Sequence, residues 1–264
     1  MKIGLGLLAG ALVLAGGPTQ ARVYMVDNAE QLVAAIIASN ETPEPDLIDM
    51  AQGLYVLDQR SNYGAGIPPI VGDLHIRGND SELRRYDSRD YELLNVAESG
   101  RLHLNRITLA EGSAGAITNQ GMMTLRHVRI VDNSTADRGD AVINNSGRLQ
   151  LDNVVVGYNL VDAASGRASM VMNTGTLSMV DTRFVDNRLS TRHPEANIAC
   201  ALINHGRAEL RRVSISGCLA EQLDLTSAPK AVLNAENGAL LVEDLQAESV
   251  QLQLYGSPMT AALD

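Results

Sequence analysis

Large rings are nearly missing from this chain: it has no Trp and a single Phe, and aromatic residues make up only 3% of its 264 positions. The 45% of hydrophobic residues must therefore come from small and aliphatic side chains. With 23 glycines beside them, they point to thin, regular apolar layers rather than one bulky globular core. A basic excess is lacking too. Thirty-one acidic against 21 basic residues leave a net charge of −10, which excludes a general nucleic-acid binder, since phosphate contact needs a basic face. Only two cysteines occur, Cys200 and Cys218. They exclude a disulfide-dense small scaffold and make a weak metal site, but in an oxidising compartment they can form one bridge. Beyond the first 21 residues no apolar run is long enough to span a bilayer.

Those first 21 residues read as a secretory signal: Lys2 gives the positive start, residues 3–17 the apolar centre, and Thr19, Gln20 and Ala21 a small-residue cleavage site. The expected location is secreted, periplasmic or outer cell surface. Removal of the segment takes away Lys2 alone and leaves 20 basic against 31 acidic residues, a net charge of −11.

What is abundant is a repeat. Six glycines, Gly100, Gly121, Gly147, Gly175, Gly206 and Gly238, follow one another at 21, 26, 28, 31 and 32 residues, the range of solenoid coils. At offsets +2, +4, +7 and +9 from them, 23 of 24 positions are apolar, and Thr182 is the exception. The first set is Leu102, Leu104, Ile107 and Leu109, and the third is Leu149, Leu151, Val154 and Val156. Period two, a three-residue step, then period two again describes two short strands joined by a bend that keeps both inner faces toward one interior. A third apolar stretch precedes each glycine after the first, such as Ala141–Val142–Ile143. Three strands per coil predict a triangular prism whose strands pair in parallel between coils, roughly 4.8 Å apart.

The cadence G-x-L-x-L-x-N-V-x-I-x-x-N resembles the repeats of bacterial secreted and outer-surface β-helix proteins, including the polymorphic outer-membrane protein repeats. Residues 114–117 (AGAI) approximate their GGAI stretch and residues 184–187 (FVDN) match their FxxN stretch. The resemblance covers about residues 46–250. It implies an all-β, right-handed, single-stranded parallel β-helix of the pectate-lyase-like kind. The long carboxy-terminal barrel that such surface proteins often carry is not matched here.

A solenoid exposes unpaired edges and a greasy end, so its ends need covering. Asp27, three residues before Glu30, signals a helix start, and residues 27–39 continue with apolar residues at helical spacing, predicting an N-terminal amphipathic capping helix. The expected organisation is a signal peptide at 1–21, a cap at 22–45, coils at 46–256 and a tail at 257–264.

Three sets of outward residues are functional candidates. Glu111, Asp132 and Asp186 share offset +11; paired carboxylates could serve acid–base chemistry on a polysaccharide or, in that case only, bind calcium, but solvated turn residues have the same pattern. Arg101, Arg148 and Arg207 at +1, with Arg129 and Arg183 at +8, form a stripe suited to sulfated or uronic sugars, or to solubility and protection against lateral pairing. Asn119, Asn145, Asn173 and Asn204 recur two before the glycine, and Asn133, Asn159 and Asn187 at +12, as corner ladders or a sugar-contacting row. The five histidines share no ligand spacing. Length variation gathers at one corner, in segments 134–140, 160–169, 188–200 and 219–230, where a solenoid usually binds its partner. The expectation is a noncatalytic protein binding a glycan or other surface macromolecule, without cofactor or resident metal. A polysaccharide lyase or hydrolase and a purely structural module are the alternatives.

Overall fold

The computed structural model describes residues 21–57, 65–86, 89–135, 139–163, 166–191, 197–221, 230–248, 251–254 and 261–262. The expected signal segment, the tail and the outer parts of the four variable segments lie outside the described residues, apart from Ala21 and residues 261–262. The rest is an all-β parallel solenoid of about seven turns with one short helix.

Each regular coil begins at its glycine. The six repeat glycines are required by close approach, not by left-handed backbone: a Cβ on Gly147 would strike the carbonyl oxygen of Gly121, one on Gly175 that of Gly147, and one on Gly206 that of Gly175. The chain can turn at this edge only because nothing projects there. The first leg follows, at offsets +1 to +5. Its strands Met122–Arg126, Arg148–Asp152 and Thr176–Val180 stack in parallel, so Leu151 lies between Leu125 and Met179 and Gln150 between Thr124 and Ser178. The second leg, such as Val155–Gly157, pairs likewise with Arg129–Val131 and Arg183–Val185. Of the 24 predicted inner positions all are buried except Leu240 and Ala247 in the last regular coil. Thr182, the polar exception, is fully buried because its hydroxyl donates to the Val180 carbonyl at 3.2 Å.

Between the two legs stands a column of left-handed residues at +6: Arg106, His127, Asn153, Asp181, Arg212 and Asp244, with φ between 48° and 59°. A second left-handed column stands at +11: Glu111, Asp132, Tyr158, Asp186 and Gly217. Stacking against the coils on either side imposes this conformation on residues as ill-suited to it as Arg and Tyr.

The third leg differs from the expectation of three strands per coil. The segments after +12 do not leave the body at once; Leu160–Ala163, Arg188–Thr191 and Leu219–Glu221 pair in parallel as a sheet of their own. Val161, Ala163 and Leu189 are buried from it. These coils thus have four strands, because apolar residues at alternate positions of the variable segments extend the core. The strand before each glycine, as in Ala141–Asn145 and Asn197–Asn204, belongs to the remaining sheet. It is buried on both sides, which is why it reads as an unbroken apolar run.

Asparagines close two corners of the coil, one at the end of this strand before the glycine and one between the second leg and the separate sheet. Asn119, Asn145, Asn173, Asn204 and Asn234 form one buried ladder, each Nδ2 donating to the next Oδ1 at 2.6–2.7 Å. Asn133, Asn159 and Asn187 form a second: the Oδ1 of Asn159 and of Asn187 takes both the backbone N–H and the Nδ2 of the asparagine one coil earlier at 2.9–3.1 Å, and Asn133 Oδ1 takes the Gly112 N–H at 2.8 Å. None of these eight has a positive φ. Their role is to satisfy backbone groups at buried corners, not to tolerate a turn. Cys218 takes the next rung of the second ladder and is joined instead to Cys200 by a disulfide, with Cα atoms 5.9 Å apart.

At the N-terminal side, Val23–Val26 adds a parallel strand to Asp46–Met50. The helix spans Ala29–Asn40 and starts one residue later than the Asp27 signal suggests: Asn28 is the cap, its Oδ1 accepting from the Gln31 N–H at 2.9 Å, while Gln31 Oε1 accepts from the Asp27 N–H. Leu32, Ala35 and Ile36 bury against the first strands of the core. No helix among the described residues is long and apolar enough to cross a membrane.

Candidate functional site

The outward positions of the first leg, offsets +1, +3 and +5, form a flat face parallel to the solenoid axis. Extending the glycine register one coil upstream to Gly72 puts Leu74 and Ile76 at the inner positions and Asp73, His75 and Arg77 outward, and Asp73–Arg101, His75–His103 and Arg77–Asn105 are paired neighbours in the ladder. Parallel register superimposes equivalent offsets, so side chains 28 residues apart become contacts of about one strand spacing. His75 and His103 thereby stack, ring centroids 4.4 Å apart and tilted by 31°. Two of the five histidines do meet, against the sequence expectation; His193 lies outside the described residues. The signal that could have found them was the irregular coil at Gly72, hidden by the extra residues at Gly78–Asn79 that break the step to its second leg.

Partial burial lowers the pKa of His103, and the adjoining His75 lowers it further, so His103 favours the neutral imidazole. Asp73 lies at their side: Oδ1 is 3.8 Å from His75 Nε2 and Oδ2 is 3.5 Å from Arg101 Nε. A shallow groove of about 380 Å³ runs past His75, Arg77, His103, Asn105, Arg126 and Gln150. A smaller one of about 90 Å³ runs on the other side of His103, past Arg101, Met122 and Arg148.

Electrostatically this face is laddered. Arg77 pairs with Asp49 at 3.0 Å, Arg126 with Asp152 at 3.2 Å and Arg211 with Glu243 at 3.3 Å, each to an adjacent coil. At the bend Arg106 pairs with Asp80 and Arg212 with Asp181, and both carboxyls are held below their ordinary range by these hydrogen bonds. The predicted stripe behaves differently. Arg101 is engaged with Asp73, but Arg148 and Arg207 are exposed and make no ion pair among the described residues. They stand on alternate rungs with Thr176 between them. Arg129 and Arg183 lie on the second leg, exposed, with Val155 between them, so the five arginines occupy two faces rather than one stripe.

The +11 carboxylates are placed at the second left-handed column. Glu111 lies 3.6 Å from Arg84, whereas Asp132 and Asp186 are exposed and separated by Tyr158. Asp is among the residues that enter the left-handed region most readily, so the turn accounts for Asp132 and Asp186 without any reaction. No group of three acidic residues within metal-binding reach occurs among the described residues.

The fold and this face define a parallel β-solenoid with an ion-paired, grooved outer sheet. No protein-family model, curated protein or solved structure matches the chain.

Proposed function

We propose that this is a secreted or surface-exposed, noncatalytic, right-handed parallel β-helix of the pectate-lyase-like kind that binds an acidic polysaccharide along the outer face of its first leg. In this reading residues 1–21 direct export, helix Ala29–Asn40 caps the first coil, and the disulfide suits an oxidising compartment. The observation that carries the binding is the pair Arg148 and Arg207: two exposed guanidinium groups without acidic partners, in a face whose other arginines are nearly all neutralised. Two rungs separate them by roughly 9.6 Å, an interval at which an extended polymer can present successive carboxylates or sulfates to bidentate contacts. The grooves beside His103 add Asn105, Thr124 and Gln150 as neutral hydrogen-bonding partners for hydroxyls. The overall acidic charge of the chain disfavours such a polymer on surfaces without exposed arginines, and the first leg joins its arginine pair to the grooves that the second-leg pair Arg129 and Arg183 does not border.

The test is retention of the full chain on a panel of acidic and neutral polysaccharides, with product release assayed in parallel. Wild type is expected to be retained on acidic members only, releasing no sugar. Arg148→Ala with Arg207→Ala should weaken retention at least tenfold and flatten its salt dependence. Undiminished retention of the double variant, or steady release of products by wild type, overturns the reading. The confinement of length variation to one corner favours a second contact there, with a macromolecular partner; replacing residues 192–196 and 222–229 by short glycine–serine turns would abolish that contact and spare retention on the polysaccharide.

A further inference from the structure

We propose that Asp73, His75 and His103 form a binding site for one late first-row divalent cation, of which zinc is the type. The proposal stands apart from the acidic-polymer reading, since it needs neither Arg148 nor Arg207.

Among the described residues these three are the one group of potential metal ligands, with a ligand atom from each lying within 4.8 Å of the others. The fold explains why they converge. Asp73 and His75 are two apart on one strand, so both project outward, and His103 is the direct ladder partner of His75. A second observation points to a missing ligand. Asp73 Oδ1 is shut off from solvent yet accepts no hydrogen bond, which for a carboxylate oxygen is costly unless a cation fills the position. The other oxygen, Oδ2, faces Arg101 at 3.5 Å, so the guanidinium orients the carboxylate and turns Oδ1 toward the imidazoles, as supporting residues do around metal ligands.

Two imidazoles and one carboxylate form a set of borderline softness. It suits zinc, nickel, cobalt or copper, and discriminates against calcium and magnesium, which require mostly oxygen ligands. Ligands about 2.1 Å from a tetrahedral ion stand about 3.4 Å apart, so the three must close by little more than 1 Å. His75 is half exposed and can swing out of its stack on His103 to do so. Arg101 opposes the incoming charge and keeps the affinity moderate. Three protein ligands on an open face leave at least one coordination position for water or for an oxygen of an external ligand.

The full chain, made without a histidine tag and stripped with chelator, is titrated with zinc by calorimetry and with cobalt by visible absorption. One ion per chain is expected, with no heat from calcium. His103→Gln and Asp73→Asn should each weaken binding at least tenfold, while His127→Gln, at the bend on the same coil as Thr124, should leave it unchanged. All three side chains project outward, so the variants should melt at the wild-type temperature in chelator; His75→Gln serves as the replacement should either fail to fold. Absence of stoichiometric binding by wild type, or full binding by His103→Gln, overturns the site.

Discussion

The amide of Asn145 donates to Asn173 Oδ1 at 2.6 Å, and its own Oδ1 receives the Nδ2 of Asn119 at 2.7 Å, so one side chain links three coils inside a closed corner. The residue is 3% exposed, so no water replaces either partner. Asn145→Ala should leave the Asn173 Oδ1 unsatisfied and reduce Asn119 Nδ2 to its bond with the Arg148 carbonyl at 3.0 Å, and a buried group left without its partner costs about 1–3 kcal/mol. Asn144→Ala, one residue away and outside the ladder, should cost about 1 kcal/mol at most. Urea midpoints of the two variants compare them directly, and equal losses would show that the ladder carries no special weight.

Gly147→Ala tests the glycine edge. The new methyl would overlap the Gly121 carbonyl, which is held in place by its own neighbours, so the coil cannot yield locally. A loss of about 3 kcal/mol or more is expected, at the top of the range for overpacking. Gly53→Ala meets nothing within 4 Å and should leave the midpoint unchanged.

The register of the first leg is tested by adjacent residues. Leu151→Asp buries an unpaired charge between Leu125 and Met179 and should prevent folding or cost about 4 kcal/mol. Gln150→Asp faces outward and should stay within about 0.5 kcal/mol of wild type. Circular dichroism of the two purified variants decides it.

Glu92 gives a pH signature. Burial raises its pKa above the ordinary glutamate value, against the opposing hydrogen bonds from Thr118 and Asn95. In the unfolded chain it ionises first, so between the unfolded and the folded pKa the native state holds more protons and its stability falls as pH rises. Its favourable contribution is complete below the unfolded pKa and is lost once pH has passed the folded one. Glu92→Gln should remove that slope and be more stable than wild type at pH 7. Thermal midpoints from pH 4 to 8 measure both effects, and parallel curves would show that Glu92 does not titrate across this range.

The inner columns were legible in the chain itself because each must fit the same column one coil above and below. That constraint repeats Leu102, Met123, Leu149 and Leu177 at one offset whatever the intervening length. The ladder asparagines were legible for the same reason, up to Asn204. Asn234 stands four rather than two before its glycine, and only the stacked structure brings its Oδ1 to Asn204.

Sequence by itself therefore determined the repeat, its inward and outward positions and the glycine edge, all properties set by contact between like positions of successive coils. Tertiary structure alone decided the left-handed columns that hold Arg106 and Tyr158, the fourth strand built from the variable segments, and the meeting of His75 with His103. Each of these depends on where a neighbouring coil lies. Backbone conformation at a bend is imposed by stacking against the residues of local propensity, and an outward contact between side chains 28 positions apart exists only once parallel pairing has set the register.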